Sequence, residues 1–288
     1  MKKYFGIFFF TLVMVVVSVV QPAFASPKID VNPLPDPPVF DPDTEKPKQD
    51  MPVFKNAIDA WEYAYNYMNK CKGYEFTAVT AAKAKVTVGI TVVQTQNIVM
   101  VKKVSGGKSF QTTYTQCDLP VGNNDYSMIF VENGLVTYRI TSNKNYNKET
   151  NLCKFDNNKS VSKYEDHLLY CPIGDKDFTF GINKKTAKQV SFRASKNKTY
   201  EFTISIDGDK LEPTYLNYVK LMAGATEFNY DRMILTVVMS STTGRFISIN
   251  RQEFYTMVAR GFTLELDQTV NSTFTKFDEA FEVVNLYP

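Results

Sequence analysis

The chain has one histidine, His167, next to Asp166, and a serine hydrolase would need such a pair beside an activated serine. No Gly-x-Ser-x-Gly run or similar nucleophile context accompanies it. A solvated loop histidine is therefore the favoured reading, and a hydrolase built on His167 the lesser one. Glu265 and Asp267 stand two apart, which puts both carboxylates on one face of a strand and in principle suits a cation or a glycosidase pair. Because they alternate with Leu264 and Leu266, they read instead as the wet side of an outer strand. A single histidine, no Cys-x-x-Cys and no calcium-loop spacing leave little to ligate a metal or run redox chemistry. No catalytic set, metal or cofactor is expected.

Cys71, Cys117, Cys153 and Cys171 form an even set, which in an exported protein allows two disulfides in any of three pairings. The preferred pairing joins Cys71 to Cys117 and Cys153 to Cys171, the second bridge closing a polar loop at a gain of about 3 kcal/mol. The alternative is four free or partly paired thiols. Export itself is read from residues 1–25: Met1-Lys2-Lys3, an apolar run from Tyr4 to Val20, and the small-x-small Ala23-Phe24-Ala25 of a signal-peptidase site. The run is shorter than the about 20 apolar residues of a spanning helix. No cysteine precedes Cys71, so no lipid-modified cysteine and no stable membrane anchor are expected after cleavage, and the location is extracytoplasmic, secreted or at the cell surface.

Lysine and arginine number 33 against 30 acids, and two of those lysines leave with the signal. The mature chain is nearly neutral, which argues against nucleic acid as a partner. Residues 26–53 hold eight prolines, from Pro27 to Pro52, interleaved with Asp and Lys. Proline lacks the amide donor and fixes φ, so this segment is expected to be an extended, solvated tether. Residues 54–288 are then left for one α+β domain.

Ile58, Trp61, Tyr65 and Met68 recur at three or four residues, which predicts a helix over Lys55 to Lys70, closed by a left-handed Gly73. Trp61 lies on its apolar stripe; core packing is the leading reading and ligand contact the alternative. Strands are predicted at Tyr74 to Thr80, through the alternating Val86, Val88, Ile90 and Val92, and at Asn97 to Lys103, Ser109 to Gln116, Tyr126 to Val131 and Leu135 to Thr141. Ser105-Gly106-Gly107 and Asn133-Gly134 read as hairpin turns. Asn143 to Ser160 reads as a long loop. Strands resume at Phe178 to Ile182, Gln189 to Ala194 and Tyr200 to Ile206. A second helix over Glu212 to Ala225 carries Leu216 and Met222, with Pro213 in its first turn. Three last strands cover Met233 to Ser240, Gly244 to Glu253 and Thr263 to Thr275. Two helices and some ten strands predict an α+β fold dominated by a single curved antiparallel sheet.

The carboxy-terminal runs Met233-Ile234-Leu235-Thr236-Val237-Val238, Thr243-Gly244-Arg245-Phe246-Ile247-Ser248-Ile249, Glu253-Phe254-Tyr255 and Phe274-Thr275-Lys276-Phe277-Asp278, with Val283-Val284 near the end, give the chain its resemblance. In pattern and order over residues 54–288 it resembles the LolA/LppX-like secreted proteins, though without the lipid anchor many of them have. The resemblance implies an unclosed β-barrel with helices packed on its concave side around an apolar cavity. It also implies a non-enzymatic protein that binds an apolar or amphipathic, lipid-like ligand. The alternative is a structural or interaction protein of the cell envelope whose core is filled by its own side chains. Among 22 Phe and 17 Tyr most must be core. The positions expected to line a cavity are Trp61, Val86, Val88, Ile90 and Val92, Ile98 and Met100 on the next strand, and Leu216 and Met222 on the second helix.

Overall fold

The computed structural model describes residues 51–88, 90–118, 124–147, 149–155, 159–163, 182–211, 225–259 and 262–287. The expected signal peptide, most of the tether, Asp166, His167, Cys171, the second helix with Leu216 and Met222, and all of the Phe178 to Ile182 strand except Ile182 lie outside the described residues. At the tether's end, Met51 already packs against the core.

Helix α1 (Ala57–Lys70) starts where Asn56, in extended conformation, accepts the Asp59 amide on its side-chain oxygen at 2.9 Å. The Ala57 amide, one of the orphan donors of a first turn, is taken by the Gln189 side chain at 2.7 Å. Lys70 sits in the last turn, and the chain leaves through Cys71 in extended conformation. Gly73 does not cap the helix; it begins the first strand. It is glycine for space, since a Cβ there would stand 2.6 Å from the Glu279 carbonyl oxygen and 2.7 Å from that of Val104.

Strands β1 (Gly73–Val88), β2 (Ile90–Ser105), β3 (Lys108–Cys117), β4 (Asp125–Glu132) and β5 (Leu135–Ser142) form the first meander. Its turns are those expected from the sequence. Gly106, Gly107, Asn133 and Gly134 all have positive φ, as two-residue hairpin turns matching the strand twist require. The predicted loop after β5 instead holds a short ribbon, β6 (Tyr146–Asn147) with β7 (Leu152–Cys153), and leads to the edge strand β8 (Lys159–Lys163). Strands β9 (Ala187–Ser195), β10 (Thr199–Ile206), β11 (Ala225–Ser240), β12 (Phe246–Ala259) and β13 (Phe262–Phe277) make the second meander.

The two meanders join through β1 and β13 into one eleven-stranded sheet of order β8-β5-β4-β3-β2-β1-β13-β12-β11-β10-β9. All of its paired strands run antiparallel. The α+β class and the single large sheet are as expected. The curved, unclosed barrel with helices on a concave side is not: the sheet is flat, neither closed nor strongly curled, and one α-helix is present among the described residues. Curling a sheet takes bulges or glycine kinks at defined places. The ladders β1–β2, β2–β3, β3–β4 and β4–β5 run without a register shift, and the shifts present sit mainly between β11 and β12.

A flat sheet has no lumen to gather one core, and the buried side chains form three clusters. The largest lies under α1, where Trp61, fully buried, meets Phe246 at 5.2 Å between ring centroids; Phe246 meets Phe274 at 5.8 Å, and Phe274 meets Phe76 at 5.5 Å. These contacts define the inner face. A second cluster covers Ala84, Val86, Tyr255, Met257, Leu264 and Leu266 at the far end of the central strands. The third is on the outer face of β3 and β4. There Phe110, Tyr126, Met128 and Phe130 are covered by Cys153, Val283 and Tyr287 of the ribbon and the chain end.

Candidate functional site

Antiparallel register fixes which side chains stand beside one another on the inner face. On β1 these are Tyr74, Phe76, Ala78, Thr80, Ala82, Ala84 and Val86, large at both ends and small in the middle. The β2 partners of the small stretch are Met100, Ile98, Gln96 and Gln94, and those on β13 are Ser272, Val270, Gln268 and Leu266. Strands lie about 4.8 Å apart, so β2 and β13 face each other across roughly 9.6 Å with only small side chains between them. The result is a shallow trough along β1. At about 3.3 Å per residue, the six steps from Ala78 to Ala84 make it about 20 Å long. Phe76 with Phe274 closes one end and Val86 with Leu264 the other.

The trough is graded in polarity. Met100, Ile98, Val270 and Ser272 wall one half; Gln94, Gln96, Gln268 and Leu266 line the other, so the grading is carried by the β2 side. Ala78, Ala82, Ala84 and Val270 are buried, while Thr80, Ile98, Met100 and Gln268 are half-buried, so the middle of the trough is its reachable part. Behind Gln268 its amide donates to the Glu253 carboxylate, and the Arg251 guanidinium stands 3.1 Å from the same carboxylate. Glu253 is buried, and a buried carboxylate with both partners is compensated. Beyond β2 the inner face stays polar, with Ser109, Gln111, Thr113 and Thr115 on β3 and Ser127 on β4, all buried.

Gln94 and Gln96 are only 4% and 5% exposed, yet neither side-chain Nε2 has a hydrogen-bond partner. The Thr113 Oγ1 is in the same condition. The two carboxamides stand beside the Cys117 thiol and act on it as side-chain hydrogen-bond donors, although its sulfur is a weak acceptor and neither Nε2 reaches full hydrogen-bond geometry. Burial is the main influence on that thiol and pushes it up to about 11; the two carboxamides pull weakly the other way. Cys117 is thus a neutral, buried group and no nucleophile.

The positions expected to line a cavity distribute as follows. Trp61 stacks on Tyr65 and meets Phe246 at a tilt in the filled core under α1. Val86 belongs to the second cluster. The alternating run through Val92 is not one strand: β1 and β2 pair within it, Val86 against Val92 and Val88 against Ile90, while the side chains of Val88, Ile90 and Val92 lie outside the described residues. Ile98 and Met100 stand together on the trough wall. The sequence reading missed Gln94 and Gln96, whose signal was two polar residues at inward positions between Val92 and Ile98. It also missed the alanines of β1, visible as alternate small residues from Ala78 to Ala84.

The expected Cys71–Cys117 disulfide is overturned: Cys71, Cys117 and Cys153 are free thiols, and Cys171, the expected partner of Cys153, lies outside the described residues. Cys71 adjoins Gly73, which pairs with Ser105, itself paired with Lys108; Cys117 is nine residues farther along β3. That is about 30 Å, against the about 7 Å within which two Cys Cα atoms can be bridged. Glu265 and Asp267 share the outer face of β13, but β13 is central rather than outer, and Glu265 pairs with Lys85 at 3.1 Å. Among the described residues no group of three or more His, Cys, Asp or Glu could hold a metal ion, and no helix is long and apolar enough to cross a membrane.

No family model matches the chain, and no curated protein does. Among solved structures, a LolA superfamily protein from Nitrosomonas europaea is 7% identical, covering 80% of this chain and 96% of its own, with a TM-score of 0.22. A putative outer membrane lipoprotein-sorting protein domain from Vibrio parahaemolyticus is 9% identical, covering 77% and 93%, at 0.24. A DUF1329 family protein from Desulfovibrio piger is 10% identical, covering 74% and 92%, at 0.23. The likeness is a distant structural one.

Proposed function

We propose that the protein is an extracytoplasmic, non-enzymatic binding protein that takes an amphipathic, lipid-like ligand along the trough over β1. The observation that carries this reading is the graded β2 wall: apolar Met100 and Ile98 at one half, polar Gln96 and Gln94 at the other, over a floor of small residues. An apolar chain gains about 25 cal/mol for each Å² it buries against the first half, and the second half supplies the few polar groups that orient a ligand. The export reading of residues 1–25 supplies the location, and the 26–53 tether would hold the folded domain off its attachment or partner. Native mass spectrometry tests the proposal with Thr80→Phe, which fills the half-buried middle of the trough. The wild type is expected to carry or take up an acylated amphiphile and Thr80→Phe to lose it at unchanged Tm; equal binding by both places the ligand elsewhere and refutes the reading.

A structural or interaction role is the second reading, favoured by one observation: the core beneath α1 is filled by the protein's own Trp61, Phe246, Phe274 and Phe76. Consistently ligand-free wild-type protein, before and after incubation with amphiphiles, would support it.

A further inference from the structure

We infer that the polar end of the trough receives an uncharged carbonyl, the ester or amide group of an acyl amphiphile, with the Gln94 and Gln96 carboxamides as its donors. This rests on the amphiphile reading and adds which chemical group lies at which end. Two observations meet at this spot. The floor is small, with Ala82 directly opposite Gln96 and Ala84 directly opposite Gln94. Beside it, two carboxamide nitrogens are buried at 4% and 5% residue exposure without a partner. A buried donor left unpaired forfeits the hydrogen bond it made to water, so this pair is complete only when an acceptor oxygen is brought to it.

Charge decides what kind of oxygen. The donors are neutral, and the cation nearest in register, Arg251, is already committed to Glu253. Lys102, also buried on the inner face, stands beyond the apolar half opposite Phe76 and has a partner of its own. It is six residues from Gln96, about 20 Å along the strand. A carboxylate placed at Gln94 and Gln96 would therefore be buried among neutral donors and would share the face with the Glu253 carboxylate three strands away, about 14 Å. Burying an ion without a counter-charge costs far more than burying a neutral hydrogen-bonded carbonyl. The acyl chain then runs from this end over Thr80 and past Ile98, toward the edge of the core in which Ala78, Met100 and Val270 are packed.

The test measures binding of monopalmitoylglycerol and of palmitate to the full chain, as wild type, Gln94→Leu/Gln96→Leu and Thr80→Phe. The wild type is expected to prefer the ester by about tenfold or more, and the double variant to bind it about 10- to 100-fold more weakly, as the loss of two hydrogen bonds predicts, with palmitate little changed. If the double variant fails to fold, Gln96→Met, close in volume, carries the same comparison. Unaltered ester binding by the glutamine variants, or a wild-type preference for palmitate, overturns the inference: the carboxamides then hold ordered water. The amphiphile reading survives that result if Thr80→Phe still abolishes binding, whereas wild-type protein that takes neither probe overturns both.

Discussion

Removing the two inward carboxamides should make the ligand-free protein more stable. Each Nε2 of Gln94 and Gln96 is buried without a partner, and a buried unsatisfied donor costs about 1–3 kcal/mol. Leucine at both positions removes two such penalties, about 2–6 kcal/mol together, and adds apolar contact. It also discards whatever the two Oε1 atoms accept, worth about 1 kcal/mol each. The balance is a gain of about 2 kcal/mol for Gln94→Leu/Gln96→Leu. For a domain of this size 1 kcal/mol moves Tm by about 2–4 °C, so calorimetry of delipidated protein should show a rise of about 4–8 °C. Saturating ligand should stabilise the wild type by mass action and the variant much less, narrowing or reversing the difference. A fall of several degrees in the ligand-free variant would refute the reasoning, because it would mean that the carboxamides are already satisfied and the trough has no vacancy for a carbonyl.

Two further outcomes test the packing and the ionisation of the fold. Phe246→Ala empties a fully buried ring site between Trp61 and Phe274; a loss of about 3–5 kcal/mol is expected by urea denaturation, with red-shifted emission of Trp61, the sole tryptophan. Burial raises the Cys117 and Cys153 thiols from 9.0 to about 11, so between those values the unfolded chain has lost protons that the folded chain keeps. Stability should therefore fall as pH rises through that window and be unaffected by these groups below it; a urea midpoint unchanged between about pH 8 and about pH 10.5 would contradict the burial of both thiols.

Local chemistry was legible in the sequence; long-range geometry was not. The hairpin turns at Gly106-Gly107 and Asn133-Gly134 were readable because a two-residue turn needs positive φ at both positions and few residues supply it cheaply. Helix α1 and its end at Lys70 were readable from its 3.6-residue stripe, but the role of Gly73 was not: it is dictated by the Glu279 and Val104 carbonyls, which arrive from distant parts of the chain. The run through Val86 and Val92 misled because its alternation continues unbroken across the connection between β1 and β2, and period two alone does not mark where a strand stops. The Cys71–Cys117 bridge failed for the opposite reason. It was the pair left once the polar loop had been given the Cys153–Cys171 bridge, and the distance along a straight ladder forbids it. Curl was inferred from the run of strands and again from the resemblance, yet a sheet curls through bulges, and those are not visible in an alternating pattern.

The trough lies on the seam where the two meanders meet. The β1–β13 ladder joins residues nearly two hundred positions apart, as in Phe76 with Phe274 and Ala84 with Leu266, whereas each of the other ladders of the large sheet pairs segments much closer in sequence. Long-range pairing is the slowest to form, because the loop-closure entropy is lost before its contacts reward it. Packing alone would be expected to place large apolar side chains on that strand, as Phe76 and Val86 do at its two ends. Its middle carries Ala78, Thr80, Ala82 and Ala84 instead, flanked by two buried carboxamides without partners. Small and unsatisfied groups at the centre of the ladder that unites the sheet weaken the fold where it most needs contact. Departures from packing logic of this kind concentrate at functional sites, and an acyl chain laid over β1 would restore both what the alanines omit and what the glutamines lack.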